Sequence, residues 1–180
     1  MNTKTILEKK QFAITIDRLC FQLLERHTNL DNTAIIGLQP RGVFLSRRIN
    51  TRLKEITGIK NSFYGELDIS FYRDDFRRSN EPIIPHHLMI EFDVEDKKVV
   101  LIDDVLYTGR TVRAALEALI DFGRPNLVEL MVLIDRRYSR HLPIQPDYVG
   151  LTVDTKTSDK VIVEWKETSK FDLATIVNKN

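Results

Sequence analysis

A stretch near the middle of the chain combines acidic residues with a hydroxyl-rich turn. An apolar run, Val99 to Ile102, is followed by Asp103 and Asp104, and then by the turn Thr108 to Thr111. Carboxylates only accept hydrogen bonds, so an adjacent pair suits the vicinal hydroxyls of a sugar or a hydrated magnesium ion. Backbone N–H groups at a glycine turn before a helix, beside threonine hydroxyls, suit a phosphate monoester. The motif therefore predicts a site for a ribose 5-phosphate.

Other interpretations of the same residues have to be weighed. The two acids could be ordinary loop and cap residues, and Thr-Gly could be an ordinary turn before a helix. We favour a ligand site because the acids, the turn, the strand and the helix coincide, and we expect no residue of this loop to serve the core. No strand is followed by Gly-x-Gly-x-x-Gly. The segment Gly37 to Gly42 has the outer glycines of a P-loop, but Val43 and Phe44 follow where lysine and serine or threonine are required.

The elements that must position this motif follow from hydrophobic periodicity. It predicts helices over residues 11–27, from Val43 to about Gly58 and over Thr111–Phe122. It predicts strands over Thr33–Leu38, Ser62–Phe71, Val99–Ile102, Leu127–Ile134, Tyr148–Val153 and Val161–Trp165. Continuous apolar strands that alternate with helices predict an α/β fold, a mostly parallel twisted sheet flanked by helices. Ligands of such sheets bind beyond the carboxyl ends of the strands.

Composition limits the classes of protein to which the chain can belong. Its 180 residues are 42% hydrophobic and 29% charged, and we expect one domain over residues 1–180. Twenty-seven Lys+Arg against 26 Asp+Glu exclude the global basic excess of a dedicated nucleic-acid binder. The single cysteine, Cys20, excludes an internal disulfide, and the four histidines lack metal-ligand spacing. With no apolar run of membrane-spanning length, we expect a cytoplasmic protein with no membrane partner.

Residues 99–111 resemble the phosphoribosyl diphosphate (PRPP) signature of type I phosphoribosyltransferases. Val105 to Ala115 is similar to one branch, the PyrR family, whose members combine uracil phosphoribosyltransferase activity with regulation of pyrimidine genes through messenger RNA. Further matches to this family are Pro40–Gly42, Gly65–Ile69, Tyr72–Asp75, Gly123–Pro125, Ile134–Arg136 and Leu142–Ile144. The resemblance implies the type I fold with a small hood over the carboxyl ends of the strands, and a homodimer or tetramer.

The resemblance also implies roles for individual residues. Asp103 and Asp104 match the acidic pair that holds the ribose hydroxyls, and they form the catalytic set with Arg41 and Arg73. Arg41 lies in the diphosphate loop, where a guanidinium can bind leaving-group oxygens bidentately, and Arg73 lies in a loop that closes over PRPP. The full substrate-binding set is Pro40, Arg41, Gly42, Arg73, Asp103, Asp104, Val105, Leu106, Tyr107, Thr108, Gly109, Arg110, Thr111, Arg136 and Val161. No direct protein metal site is expected, because Mg2+ would be bound through PRPP and water, with Asp103 as the candidate protein ligand.

The implied reaction converts uracil and PRPP to UMP and diphosphate, in pyrimidine salvage. The alternative is an RNA-binding attenuator of pyrimidine-operon transcription that responds to UMP or PRPP. RNA-regulating members are similar in a basic, hydroxyl-rich face on the first helix, of which this chain keeps Arg18 and Arg26. Ile14, Asp17 and Phe21 stand where arginine, threonine and histidine are usual, and Leu151 replaces a lysine. Because loss of cations weakens attraction to phosphates, the sequence favours the enzyme over the RNA-binding protein.

Overall fold

The computed structural model describes residues 2–60, 62–72 and 90–178. Strands and helices are numbered in chain order. They are β1 (Asn2–Leu7), α1 (Lys9–Arg26), β2 (Thr33–Leu38), α2 (Gly42–Thr57), β3 (Phe63–Leu67), β4 (Lys98–Leu106), α3 (Arg110–Leu119), β5 (Leu127–Arg137), β6 (Tyr148–Asp154), β7 (Lys160–Glu164) and β8 (Leu173–Asn178). Short 3₁₀ turns cover Ser70–Tyr72 and Ile120–Phe122. No helix of the described residues is long and apolar enough to cross a membrane.

The main sheet has five parallel strands in the order β3-β2-β4-β5-β6. Both of its faces are covered, as the side-chain alternation of the central strand β4 shows. Val100 and Ile102 belong to the apolar core formed with α1 and α2, whereas Val99 and Leu101 belong to the core formed with α3. Burial on both faces explains why the strands are continuously apolar in sequence. The predicted α/β fold is confirmed.

A smaller antiparallel sheet, in the order β1-β8-β7, accompanies the main one. Trp165, directly after β7, is buried and packs edge-on against Phe12 of α1, with the ring centroids 5.5 Å apart. It also contacts Phe44 of α2 at 6.0 Å, and the Arg48 guanidinium lies over its ring at 4.9 Å. These contacts fix the small sheet to both helices of one face, and the predicted hood is present as this sheet.

Two strands of the small sheet, β1 and the central strand β8, are not predicted from the sequence. In β1 the residues Asn2 to Thr5 are polar, and only Ile6 and Leu7 at its end are apolar. The strand forms because it pairs with β8, from Asn2 opposite Asn178 to Leu7 opposite Ala174. Because this pairing joins the two ends of the described chain, the hydrophobic pattern of either segment alone does not predict it.

Two strands of the main sheet extend further than predicted. β4 continues past Ile102 to Leu106, and β5 continues past Ile134 to Arg137. The ladder between them is kept to the end, where Leu106 pairs with Asp135. The polar residues predicted to follow these strands are therefore held on the strands themselves, which fixes their side chains more firmly than a loop would.

Candidate functional site

Two adjacent carboxylates lie near the carboxyl end of β4, the central strand. Asp103 and Asp104 are buried, and Asp103 Oδ1 accepts a hydrogen bond from the Asp104 backbone N–H at 2.8 Å. Burial and the negative charge of Asp104 raise the pKa of the Asp103 carboxyl. Holding two acids together inside the protein is unfavourable for folding, and such pairs are common at functional sites.

An arginine from the loop after β2 meets this acidic pair. Arg41 Nε donates a hydrogen bond to Asp104 Oδ2 at 2.8 Å, and Arg41 Nη2 donates to the backbone carbonyl of Val163 on β7. Pro40 precedes it, after a cis Gln39–Pro40 peptide bond. The Arg41 side chain thus joins the main sheet to the small one. Half of its surface is exposed, which leaves it accessible to an anion.

The first residue of α2 is glycine because the helix begins against β4. A Cβ on Gly42 would lie 2.3 Å from the carbonyl oxygen of Ile102 and 2.9 Å from Cα of Asp103. Real Cβ atoms do not approach backbone so closely. The absence of a side chain at Gly42 therefore allows the start of α2 to carry Arg41 up to Asp104.

The turn after β4 leads directly into α3. Gly109 has φ 88° and caps the helix, a backbone conformation that glycine adopts without strain. Thr108 Oγ1 accepts a hydrogen bond from the Arg110 N–H at 3.4 Å, and Thr111 lies in the first turn of the helix. The first N–H groups of a helix have no partner within it and attract anions. The predicted phosphate turn and the acidic pair thus lie at the same edge of the sheet.

Two residues between the acids and the turn pack into the core, although we expected that no residue of this segment would do so. Leu106 is buried in the core beneath α3, and Val105 is partly buried against the core on the other face. The expectation is wrong because β4 continues through both positions, so that their side chains alternate between the two faces. Leu106, which is buried, can meet a ligand only through its backbone, whereas Val105 is partly exposed.

Sequence reasoning missed Arg140, whose guanidinium contacts the end of β4 and the residue that follows it. Its Nη1 donates to the carbonyl oxygens of Leu106 at 3.2 Å and Arg136 at 2.9 Å, and also to that of Tyr107. Its Nη2 donates to the Asp135 carboxylate. The residue carries no signal in the sequence except its place in the polar segment after β5, because all its partners but Asp135 are backbone carbonyls.

A protein-family model described as "Phosphoribosyl transferase domain" matches residues 2–168. Bifunctional protein PyrR of Elusimicrobium minutum is 44% identical over 178 residues, which cover 98% of each chain. Bifunctional protein PyrR of Bacillus subtilis is 40% identical over 179 residues, again with 98% of each chain covered. The chain belongs to the PyrR family of phosphoribosyltransferases. As a member of this family it is a pentosyltransferase.

Solved structures that resemble this PyrR-family chain support the fold. A Trypanosoma cruzi hypoxanthine phosphoribosyl transferase superposes with a TM-score of 0.72 at 14% identity, covering 97% of this chain and 91% of that one. A Bacillus anthracis hypoxanthine-guanine phosphoribosyltransferase gives 0.68 at 14% identity, with 98% and 100% covered. At such low identity the likeness concerns the fold alone, which is the type I fold that the motif implied.

Two further predicted site residues of this PyrR-family chain lie beside the segment between β6 and β7. Arg136 is buried, and it donates to Thr155 Oγ1 and to the carbonyl of Asp159, each at 3.0 Å. Its guanidinium also lies 4.0 Å from the ring centre of Tyr107, and burial lowers its pKa. Val161 is on β7, half-buried. Arg136 therefore connects Tyr107, which precedes the turn from Thr108 to Thr111, to the segment that leads to Val161.

The remaining predicted residue, Arg73, lies outside the described residues.

The acidic pair fits a magnesium ion that is bound mainly through the substrate. Over residues 2–60, 62–72 and 90–178, no three acidic, histidine or cysteine side chains come together as a metal cage. Asp103 and Asp104 provide hard carboxylate oxygens, but Asp104 already accepts from Arg41. Mg2+ is commonly held by one or two carboxylates together with substrate phosphates and water, and Asp103 is the residue that would contribute here.

Proposed function

We propose that the protein transfers the phosphoribosyl group from PRPP to uracil, giving UMP and diphosphate. The observation that supports this most is the Arg41–Asp104 ion pair, which joins a cation suited to diphosphate to the acids suited to the ribose. The turn from Thr108 to Thr111 lies beyond the same strand end and suits the 5-phosphate. Uracil as the acceptor base is implied by the resemblance to the PyrR family.

The proposed reaction needs compensation of charge at both ends of the bond that breaks. As diphosphate leaves, carbon 1 of the ribose becomes positive, and carboxylates nearby stabilise that charge more in the transition state than in the substrate. Asp103 and Asp104 supply this negative charge and accept hydrogen bonds from the ribose hydroxyls. Arg41 balances the charge that develops on the departing diphosphate. Magnesium bound with PRPP supplies further positive charge to the diphosphate.

The edge of β7 supports a binding site for a pyrimidine base. β7 is one of the two outer strands of the small sheet, and the Val163 carbonyl accepts a hydrogen bond from Arg41, which lies on the diphosphate side. N–H and C=O groups of alternate residues in an antiparallel strand point in the same direction, so Val161 offers its pair to the same side as Val163. One donor beside one acceptor is complementary to an N–H and a carbonyl of uracil.

Uracil is expected to be the preferred acceptor in a panel that also contains orotate, hypoxanthine and guanine. The reason is that a single backbone donor and acceptor match a small pyrimidine, whereas the larger purines require more space between β7 and the ribose. Release of diphosphate from PRPP in the presence of magnesium, measured with each base, checks this. Absence of turnover with uracil, or turnover with a purine alone, contradicts the proposal.

The regulatory function of PyrR-family members depends on RNA binding, and the face of α1 argues against it in this chain. Arg18 Nη1 donates to the Val149 carbonyl at 3.1 Å, and Arg26 Nε lies 2.6 Å from the Glu129 carboxylate. Both retained cations are therefore engaged within the protein. Ile14 and Phe21 are exposed on this helix. Because Arg26 is ion-paired, Arg18 is held by backbone carbonyls and apolar side chains lie beside them, this face of α1 offers little attraction to phosphates.

Filter-binding titration with pyrimidine-operon leader RNA is accordingly expected to show no submicromolar binding, in the presence or absence of UMP. The physical reason is that each phosphate contact requires an available cation, and the two arginines of this face are held by the Glu129 carboxylate and by the carbonyls of Val149 and Gly150. The Phe21→Arg substitution, which adds a cation to this face, serves as the comparison. Tight binding by the wild type that weakens with salt and responds to UMP would show that the attenuator function is retained.

A further inference from the structure

We propose that Arg140 is a positioning residue for the 5-phosphate of PRPP: it holds the backbone ahead of the turn so that successive N–H groups point at the phosphate. The inference rests on the proposed function, because it takes Thr108 to Thr111 as the phosphate turn. It adds a residue that neither the motif nor the resemblance assigns to the site. Arg140 acts through the backbone and need not touch the substrate.

The guanidinium of Arg140 is directed at backbone carbonyls from several sides. Nη1 donates to the carbonyls of Leu106 and Tyr107, which end β4 and begin the turn, and to that of Arg136 on β5. Nε donates to the Ile144 carbonyl at 3.1 Å. An arginine has five N–H donors in a rigid planar arrangement, and here they connect the ends of two neighbouring strands to the segment that follows β5.

The charge of Arg140 is balanced beside these contacts. Nη2 donates to the carboxylate of Asp135, and the two side chains are 21% and 14% exposed. A guanidinium that is mostly buried, paired with a carboxylate and bonded to several carbonyls has few donors left for a ligand. These contacts favour a positioning role for Arg140 over direct phosphate binding.

The residues after Arg140 complete the support of the turn. The His141 N–H donates to the Thr108 carbonyl at 3.0 Å. A Cβ on Gly109 would lie 3.2 Å from Ile144 Cδ1 and 3.5 Å from Leu142 Cβ, so this segment packs directly against the glycine. Residues 140–144, which we call the supporting segment, therefore contact the turn through a side chain, a backbone N–H and apolar packing.

Because the peptide group is planar, contacts that fix the carbonyl groups also fix the directions of the N–H groups. In a trans peptide the carbonyl of one residue and the N–H of the next point in opposite directions. Arg140 and His141 hold the carbonyls of Leu106, Tyr107 and Thr108 towards the supporting segment. The N–H groups of residues 107, 108 and 109 consequently point away from it. Successive N–H groups with a common direction form a concave anion site, and its charge complementarity depends on the carbonyls staying in place.

The Arg140→Lys variant tests this proposal. Lysine keeps the charge but cannot span the same set of carbonyls, so we expect the KM for PRPP and the Kd for UMP to rise about tenfold. We expect kcat to change less than twofold, because the acidic pair and Arg41 are not altered. Hydrogen exchange of amides 107–109 in the ligand-free protein should become faster, which reports the orientation of the turn independently of turnover.

Arg137→Lys is the matched control. Arg137 also follows β5's last buried residues, but it pairs with Asp154 on the surface, where the two side chains are 50% and 56% exposed. We expect this variant to leave the KM for PRPP, the Kd for UMP and the amide exchange of the turn unchanged. Asp135→Asn, which removes the charged partner of Arg140, should also raise the KM for PRPP, but by a smaller factor.

The outcomes separate this inference from the proposed function. If the wild type binds neither PRPP nor UMP, the proposed function fails. If the wild type binds both and Arg140→Lys binds them equally well with unchanged amide exchange, only the role of Arg140 is overturned. A fall in kcat at constant KM would also overturn it, because that result would indicate a residue acting in the transition state. The inference is supported if Arg140→Lys shows a higher KM for PRPP and faster exchange of amides 107–109, and Arg137→Lys shows neither.

Discussion

Replacing Asp104 by asparagine is expected to lower kcat/KM for UMP formation by about a hundredfold to a thousandfold, the usual scale for losing one group that stabilises transition-state charge. The substitution preserves the shape of the side chain but removes the negative charge nearest Arg41, 2.8 Å from its Nε. The positive charge that develops on the ribose then lacks one of its two carboxylates. Steady-state kinetics with PRPP and uracil measure the effect.

The fold should not be weakened by the same change. The charge of Asp104 contributes to raising the pKa of Asp103, after burial itself. A carboxyl whose pKa is higher in the folded state than in the unfolded state makes the protein less stable as pH rises between those two values. Removing the neighbouring charge relieves part of that loss, so we expect a melting temperature at pH 8 no lower than that of the wild type.

Asp154→Asn is the control for this prediction, because Asp154 is an exposed acid that pairs with Arg137 on the surface. Its loss should alter neither the rate nor the melting temperature to a measurable extent. If Asp104→Asn retains the wild-type rate, Asp104 has no part in the chemistry. If Asp104→Asn loses its rate and its melting temperature together, the residue acts through folding, and the proposed role is also contradicted.

The strands of the main sheet could be predicted because each is encoded by a pattern of neighbouring residues. Each central strand contains a short apolar run, and β2 and β4 are each followed by a helix with its own period, so the strand and helix types follow from neighbouring residues. The small sheet was predicted only in part, since β1 contains little apolar sequence and depends on β8 at the other end of the described chain. Pairing over such a distance leaves no periodic signal in either segment.

In the candidate site, residues that act through their side chains could be predicted from the sequence, whereas residues that act on the backbone could not. Roles for Asp103, Asp104 and Arg41 can be proposed from the sequence because their charged side chains occupy recognisable motifs. Arg140 could not, because it acts on carbonyl groups that every residue possesses. Arg136 was predicted to contact substrate, yet its described hydrogen bonds go to Thr155 and to backbone carbonyls of the segment before β7. Its assignment as a substrate ligand stays a prediction.

Gly42→Ala is expected to lower kcat/KM more than it lowers stability. The added methyl group would meet the Ile102 carbonyl at 2.3 Å and Asp103 Cα at 2.9 Å, and both are backbone atoms of the central strand. A rigid strand buried on both faces cannot yield, so α2 must move away from it. Overpacking of this kind costs about 1–3 kcal/mol of folding free energy, which chemical denaturation would measure.

The effect on activity follows from what the start of α2 carries. Arg41 immediately precedes Gly42, and its hydrogen bonds to Asp104 and to the Val163 carbonyl depend on the close approach of helix and strand. A displacement of about an ångström at this point misplaces the proposed diphosphate cation, which is enough to reduce rates about a hundredfold. We therefore expect a large loss of kcat/KM at temperatures where the variant is fully folded.

Gly58→Ala separates this effect from the general cost of replacing a glycine. Gly58 ends α2 with φ 73°, and a Cβ there would meet nothing within 4 Å. Alanine at that position should cost about 1 kcal/mol through its left-handed backbone, while the other end of the helix stays against β4 and kcat/KM is retained. If both variants lose stability and activity in parallel, the approach of α2 to β4 has no specific role. If Gly42→Ala alone loses activity while folded, the glycine is needed because it brings Arg41 to the acidic pair.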